Sequence, residues 1–373
     1  MRIAAITTSQ VPATTANSIQ AMKACEGLVQ NGHEVHLFVP GEKTEAWGKL
    51  SDFYGIQDPF EISWLPENRF WRRYDYAWKA FRQGLQLQSD LLYTWAVQVG
   101  VLGLLWKIPV VLEIHDRPTG RLGPLWFRRL CRVPGKKRVA CITQALLNRY
   151  GNGIERLQSE EKVIAPNGVE LERYTGLPDA VAARLSLALP ERLTCVYTGH
   201  FYPGRGMEVL FFLAQVFPEV SFLWIGGRPQ DVESWRDRLS AKGVQNVSLP
   251  GFIENKHLPL YQAAADVLLM PYERTIAGSS GGNSAEICSP MKMFEYLATG
   301  RAILTSDLPV LHEILNEQNA VFCPPEEPSA WQEALAGLLA DPRRRERLGR
   351  QARLDAENYT WRERARRILT DFG

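Results

Sequence analysis

The chain has no Cys-x-x-Cys pair: its six cysteines, Cys25, Cys131, Cys141, Cys195, Cys288 and Cys323, lie far apart. That spacing excludes the usual clustered zinc sites. Most of the cysteines sit in apolar runs such as VACIT and LTCVY, the setting of buried free thiols in a reducing compartment. No window of about 20 apolar residues occurs, so no membrane-spanning helix is expected. MRIAAITTS is too short an apolar run for a secretory leader, which makes the cytoplasm the expected location. An excess of either charge is also missing. The 43 Lys and Arg against 41 Asp and Glu leave +2, which argues against wholesale nucleic-acid binding. Asp-x-Asp is absent too, so a cation bridging a diphosphate has no obvious ligands and no metal is expected.

Core material, by contrast, is plentiful. Of 373 residues 45% are hydrophobic and 23% charged, and the length suits two domains of roughly 150–200 residues. Residues 2–8 read as a strand, 17–30 as a helix with Ile19, Met22, Cys25, Leu28 and Val29 on one face, and EVHLFVP as the next strand. This βαβ start predicts a doubly wound parallel sheet whose ligands lie outside the carboxyl ends of its strands. The loop after the first strand, SQVPATTANS, then faces the ligand, with Thr14, Thr15 and Asn17 as polar lining. Further strands are expected at 61–65, 90–94, 110–114, 139–143 and 162–166. VVLEI at 110–114 runs straight into His115, Asp116 and Arg117, placing an imidazole and a guanidinium at a strand end. There an imidazole could bind a sugar hydroxyl; the plainer reading is a hydrogen-bonded loop histidine.

The turn PNGV at 166–169 is followed by a segment with two prolines and no strand pattern, so 171–190 reads as the connection between domains. A second alternating series follows, with strands at 193–199, 220–227, 247–252, 266–272 and 302–306 and helices at 206–217, 231–242 and 255–264. Its first strand-to-helix loop is GHFYPGRG. Gly199, Gly204 and Gly206 permit close backbone approach, Arg205 can fork onto phosphate oxygens, and His200 lies in the same loop. A tight structural turn would also account for the glycines. Other strand ends carry Gly226 with Arg228, Phe252 with Ile253, and Tyr272, candidates to hold a flat base by backbone contacts and stacking.

The most informative stretch is NSAEICSPMKMFEYLATG at 283–300, preceded by GSSGG at 278–282. Met293, Phe294 and Leu297 fall at helical spacing, with Ser289 as N-cap, Pro290 at the first helical position and Gly300 closing the helix. Unpaired N–H groups near Ser289, Pro290 and Met291 suit a diphosphate, with Lys292 beside them. Glu295, about two turns inside, can accept from the vicinal hydroxyls of a ribose. An ordinary amphipathic helix with a solvated glutamate is the alternative. Residues 327–357 read as helical, and YTWRERARRILTDF as a final amphipathic helix. Between Arg117 and Arg138 lie eight basic and no acidic residues, interleaved with Leu122, Leu125, Trp126, Phe127 and Leu130. This is either a peripheral membrane patch or a solvated helix packed by its apolar side.

In order along the chain, NSIQAMK, NGHEVHLF, EIHD, NGVE, G-x5-R-G, ADVLLMPY, SPMKMFEYLATGRAILTSD and YTWRERARRIL resemble the nucleotide-sugar-dependent glycosyltransferases of GT-B fold, above all the large retaining group called family 4. The resemblance implies an α/β protein of two doubly wound, Rossmann-like parallel-sheet domains facing across a cleft. Residues 1–170 would bind the acceptor, 171–190 would link the domains, and 191–357 would bind the nucleotide-sugar donor. The helix within 358–373 would pack back on the first domain. Glu295 becomes the second glutamate of the family's Glu-x7-Glu pattern, contacting the donor ribose, and Arg205 takes the place of the usual diphosphate-binding lysine. His115 becomes the histidine beside the transferred sugar. The first glutamate of that pattern aligns with Ile287, with Glu286 one residue away, and His200 stands where an arginine is common.

The implied function is metal-independent transfer of a sugar, with retention, from a UDP- or GDP-linked donor to a sugar or lipid-linked acceptor. Polysaccharide or glycolipid assembly is the expected setting, at the inner face of the plasma membrane if the basic stretch touches lipid. The alternatives are a sugar-nucleotide 2-epimerase of the same fold and a catalytically idle nucleotide-sugar-binding subunit.

Overall fold

The computed structural model describes all residues except 69, 71–72, 119–121, 151–152, 277–282 and 373. The chain divides into two units, Met1–Asn167 with Thr360–Gly373, and Gly168–Tyr359.

In the first unit β1 (Arg2–Ile6), α1 (Ala16–Val29), β2 (Glu34–Pro40), α2 (Trp47–Tyr54), β3 (Glu61–Leu65), α3 (Tyr74–Gln86), β4 (Leu91–Thr94), α4 (Val97–Leu105), β5 (Val110–Ile114), α5 (Gly123–Arg132), β6 (Lys137–Cys141), α6 (Gln144–Arg149) and β7 (Lys162–Ile164) follow one another. The sheet order is β3-β2-β1-β4-β5-β6-β7, and every pairing is parallel. β4 and β5 are buried along their whole length, as strands covered by helices on both faces must be. The order reverses between β1 and β4, so ligands belong outside the carboxyl ends of those strands.

The second unit opens with a 3-10 turn at Leu171–Tyr174 and continues through α7 (Ala180–Ser186), β8 (Thr194–Gly199), α8 (Met207–Val216), β9 (Ser221–Gly226), α9 (Pro229–Ala241), β10 (Val247–Gly251), α10 (Leu258–Ala263), β11 (Val267–Met270), α11 (Met291–Thr299), β12 (Ala302–Ser306), β13 (Val321–Cys323), α12 (Pro328–Ala340) and α13 (Pro342–Ala356). Its parallel sheet runs β10-β9-β8-β11-β12-β13, reversing between β8 and β11. Phe222, Trp224, Leu269 and Leu304 on the sheet pack with Leu210, Trp331 and Leu335 on the helices.

Two expectations change here. The segment 171–190 is folded into the second unit: Leu177, Leu187 and Leu189 with Ala183 pack on Leu260, Ala263 and Ala264. The buried Arg184 of α7 fastens it through Ala264 O at 2.9 Å and Asp266 at 2.8 Å. The helix read as starting at Pro290 starts at Met291, with Pro290 in the cap position at φ −68° and ψ 126°. Proline offers no side-chain acceptor, and Ser289 sits one position too early to serve as the cap. Gly300 closes α11 in the left-handed conformation, φ 68°, as its sequence predicts. The GSSGG stretch lies outside the described residues.

The last helix, α14 (Trp361–Leu369), belongs to the first unit. Thr360 caps it, its hydroxyl accepting from Glu363 N at 3.0 Å. It crosses α1 at Gly27, where a Cβ would lie 2.4 Å from Trp361 O. Arg138 adds bonds from its guanidinium to Ile368 O and Thr370 O, at 2.7 and 2.6 Å. Gly27→Ala therefore overpacks the crossing and should destabilise by about 1–3 kcal/mol. Gly48→Ala is the control: nothing lies near its Cβ position, and helical alanine is preferred over glycine. Urea unfolding should show a lower midpoint for the first variant and none for the second.

Candidate functional site

The crevice position of the second sheet is set by the ends of β8 and β11. β8 ends on Gly199 at φ 146°. A Cβ on Gly226 would lie 2.1 Å from Gly199 O, and one on Gly206 would lie 1.6 Å from Pro271 O. The glycines are thus demanded by backbone crowding, as the tight-turn reading has it. The N–H groups of Gly204 and Gly206 both donate to the Glu273 carboxylate at 3.2 Å.

Arg205 lies between two aromatic rings, its guanidinium carbon 4.7 Å from the Tyr202 centroid and 5.2 Å from that of Tyr272. It donates to the Tyr202 hydroxyl, while its buried Nε has no partner among the described residues. Lys292, in the first turn of α11, directs its amine into the same place. Nζ sits 4.0 Å from the Tyr197 ring centroid and 5.3 Å from that of Tyr272, buried and without a hydrogen-bond partner among the described residues. A Cβ on Gly199 would come within 2.5 Å of it. Burial holds the Lys292 pKa well below the ordinary lysine value, the Arg205 guanidinium lowers it further, and the Glu295 carboxylate opposes both. His200 stacks on Tyr202 at 5.1 Å and is likewise held below its ordinary value, first by burial and then by Arg205 and Lys292. Two basic heads thus converge, the Lys292 amine and the Arg205 Nε without a hydrogen-bond partner among the described residues. Burying such groups is costly until an anion completes them.

One turn further into α11, Glu295 accepts from Gln262 Nε2 at 3.1 Å, and Gln262 in turn accepts from the buried Tyr174 hydroxyl at 2.9 Å. Arg173 contributes positive potential there while bonding Asn255 Oδ1 at 2.6 Å and Glu170 at 3.3 Å. Arg173 and Gln262 escaped the sequence reading: one lies in what looked like a linker, the other in a short helix with no signature.

Other expected residues stand apart. Tyr272, expected to stack a base, is 3% exposed and its ring is occupied by Arg205, so it is the floor under the cations. Arg228 pairs with Asp231 at 2.9 and 3.1 Å at the start of α9. Phe252 is 56% exposed just past β10, with Ile253 beside it half-buried. Glu286 is exposed, Ile287 and Ser289 are buried, and Pro290 and Met291 are half-buried.

In the first unit Thr14, Thr15 and Asn17 are exposed around the start of α1. His115 follows β5, and its Nε2 meets the Glu113 carboxylate at 2.6 Å. Glu113, fully buried, also accepts from Gln20, the Tyr93 hydroxyl and both terminal nitrogens of Arg364, at 3.2 and 2.6 Å for the last. Burial alone would raise its pKa, but the Arg364 guanidinium and His115 pull it down to about 2. Asp116 accepts from Arg117 N at 2.7 Å, its carbonyl accepts from Tyr150 at 2.9 Å, and Arg117 is exposed. Glu113 was legible as a carboxylate inside an otherwise apolar strand, though only the structure gives it a role.

Fold and site together define a class: a doubly wound α/β protein of two units, with an anion-seeking pair of cations at the switch point of the second sheet. Residues 192–341 match the family model described as glycosyl transferases group 1, and residues 19–173 match glycosyltransferase family 4. A D-inositol 3-phosphate glycosyltransferase of Xylanimonas cellulosilytica is 27% identical, over 71% of this chain and 66% of the relative. A phosphatidyl-myo-inositol mannosyltransferase of Mycobacterium tuberculosis is 26% identical, over 70% and 66%. The chain thus spans just under two thirds of the length of these two relatives. A GDP-mannose-dependent alpha-(1-6)-phosphatidylinositol dimannoside mannosyltransferase of M. tuberculosis is 25% identical over 92% of this chain and 88% of its own. Among solved structures, Anabaena HepE in complex with UDP shares the fold with a TM-score of 0.73 at 16% identity, covering 100% of this chain and 99% of that one. The chain belongs to the GT-B glycosyltransferases of the group 1, family 4 type.

The Glu113 network has a pH signature. Its folded pKa lies below the unfolded value, so its stabilisation is complete above about pH 4.5 and drains away as the pH falls toward about 2. The full effect is about 3 kcal/mol. Glu113→Gln should remove that acid-side slope from urea unfolding stability, besides costing about 3–5 kcal/mol by leaving Arg364 buried and unpaired.

Proposed function

We propose that the protein transfers a sugar from a nucleotide-diphosphate donor to an acceptor hydroxyl, with retention of the anomeric configuration and without a metal ion. The observation that carries this reading is the convergence of Arg205 with the orphaned amine of Lys292 at the β8–β11 switch point. Negative charge develops on the departing diphosphate as the glycosidic bond breaks, and two fixed cations in a dry, aromatic-walled site stabilise that charge most when it is largest. Glu295, steadied by Gln262, takes the ribose hydroxyls. In the retaining step the acceptor oxygen bonds to the anomeric carbon on the face the diphosphate leaves, and its proton passes to a phosphate oxygen. His115 positions a sugar hydroxyl through Nδ1, since Glu113 holds Nε2.

The donor base is uracil or guanine. Support comes from GDP-mannose in the name of one relative and from UDP in the HepE structure. The acceptor is a sugar or a lipid-linked sugar of polysaccharide or glycolipid assembly, in keeping with the inositol lipids in the relatives' names.

Calorimetric titration with UDP, GDP, ADP and their sugars in the presence of a chelator tests the donor reading. One base class should bind wild type, and Lys292→Met should weaken it about tenfold to a hundredfold, as loss of a charge-assisted bond implies. Glu295→Ala should lose binding as well. If no member of the panel binds, the site is scaffold and the proposal fails. A further consequence follows from the buried amine. Burial lowers the Lys292 pKa and an anion beside the amine raises it again, so over a pH series donor binding should take up protons onto Lys292 in the interval between the free and the bound value. The measured heat should then depend on the buffer's ionisation enthalpy in wild type and not in Lys292→Met. Retention is checked by the anomeric configuration of the product in proton NMR.

A further inference from the structure

Three consecutive residues follow β11, and each grips the loop that carries Arg205 in its own way. Pro271 crowds it, since a Cβ on Gly206 would lie 1.6 Å from Pro271 O. Tyr272 lies against the Arg205 guanidinium, its ring centroid 5.2 Å from the guanidinium carbon. Glu273, half-buried, takes hold of the backbone. Its Oε2 accepts from Gly204 N and its Oε1 from Gly206 N, while its own N–H donates to Gly204 O, all at 3.2 Å. One residue thus fixes the peptide units on both sides of Arg205.

That clasp matters because of what the loop is made of. Gly204 and Gly206 have φ of 92° and 71°, a path that other residues rarely follow, yet glycines are the neighbours that restrain Arg205 least. A guanidinium between two unclasped glycines would sample many directions, and ordering it on binding would weaken affinity. Among the described residues the carboxylate bonds only backbone, and the guanidinium donates to the Tyr202 hydroxyl instead. An acid paired with the guanidinium would compete with an incoming anion; Glu273 leaves it open.

The clasp is itself braced on both sides. The Ser306 hydroxyl at the end of β12 donates to Tyr272 O at 2.6 Å, and Arg274 N donates to Glu326 at 2.9 Å. Asn283 then ties the far side, its Nδ2 donating to Arg274 O at 2.7 Å and its Oδ1 accepting from Ile276 N at 2.9 Å. Glu273 sits between fixed points, as a residue that must hold another within a fraction of an ångström should.

We propose that Glu273 is the positioning residue for Arg205, holding its guanidinium ready for a diphosphate through the loop backbone without touching the diphosphate itself. This rests on the reading of the site as one for a diphosphate.

Calorimetric titration with inorganic pyrophosphate in chelator tests the proposal, because that probe asks for neither a base nor a sugar. Glu273→Gln keeps one acceptor but turns an amide N–H toward the other backbone N–H, and it should bind about tenfold to a hundredfold more weakly than wild type. Arg205→Met should bind weakly as well. Glu273→Gln/Arg205→Met should then bind no more weakly than Arg205→Met alone, since no guanidinium is left to position. A glutamate that only holds the fold gives two losses that multiply. Hydrogen exchange on folded Glu273→Gln should quicken at the amides of Gly204 and Gly206 and stay unchanged in β8 and β9. If that variant does not fold, Glu273→Asp, which keeps the charge and both acceptors, repeats the cycle. Equal binding by wild type and variant, or losses that multiply, overturns the proposal and leaves the diphosphate reading standing. If wild type binds neither pyrophosphate nor any nucleotide, both fall together.

Discussion

The first unit hangs on one buried ion pair. Glu113 and Arg364 leave water together, and such a pair holds only where the remaining lone pairs and protons are also satisfied. Here they are: Gln20 from α1, Tyr93 from β4 and His115 beyond β5 all bond the carboxylate, while Arg364 Nε donates to Pro166 O at 2.9 Å. The pair therefore does two things. It locks the last helix of the chain into a sheet built from its first residues, and it fixes which ring nitrogen of His115 is engaged. Removing either charge would leave the other stranded, so fold and ring orientation cannot be separated here.

The second unit shows the opposite arrangement. Where Glu113 is bonded on all sides, the Lys292 amine is buried and bonded to nothing among the described residues, and Arg205 has an idle Nε. A protein interior pairs its polar groups almost without exception. Two exceptions pointing into one place at a switch point therefore mark where stability has been given up for ligand binding. The aromatic rings of Tyr197, Tyr202 and Tyr272 make this tolerable, since each presents a negative face to one of the two basic groups.

The sequence was legible where periodicity and turn chemistry speak for themselves. β2, β5 and β12 fall where their apolar runs end, and Gly300 stops α11 as a left-handed glycine should. The rest fails for physical reasons. β13 has three residues, too few to show a period. The prolines of 171–190 looked like linker, while the small apolar face of α7, centred on Ala183, was too short to stand out. Tyr272 reads as a platform because aromatic residues at strand ends often are; its burial under Arg205 is a tertiary fact. Arg364 is one basic residue of many in an amphipathic helix, and nothing local separates the arginine 3% exposed from its solvated neighbours.

The same limit applies, in reverse, to α4. An all-apolar helix written in sequence implies cover on all sides, because periodicity reports how much of a helix shuns water but not what supplies the shelter. The chain itself supplies it on the inner side, through Leu92, Val110 and Leu130, which press so closely on Gly100 and Gly103 that neither has room for a Cβ. On the outer side Trp78 and Phe81 of α3 meet Trp106 edge-on, and Leu105 and Trp106 still stay about half exposed.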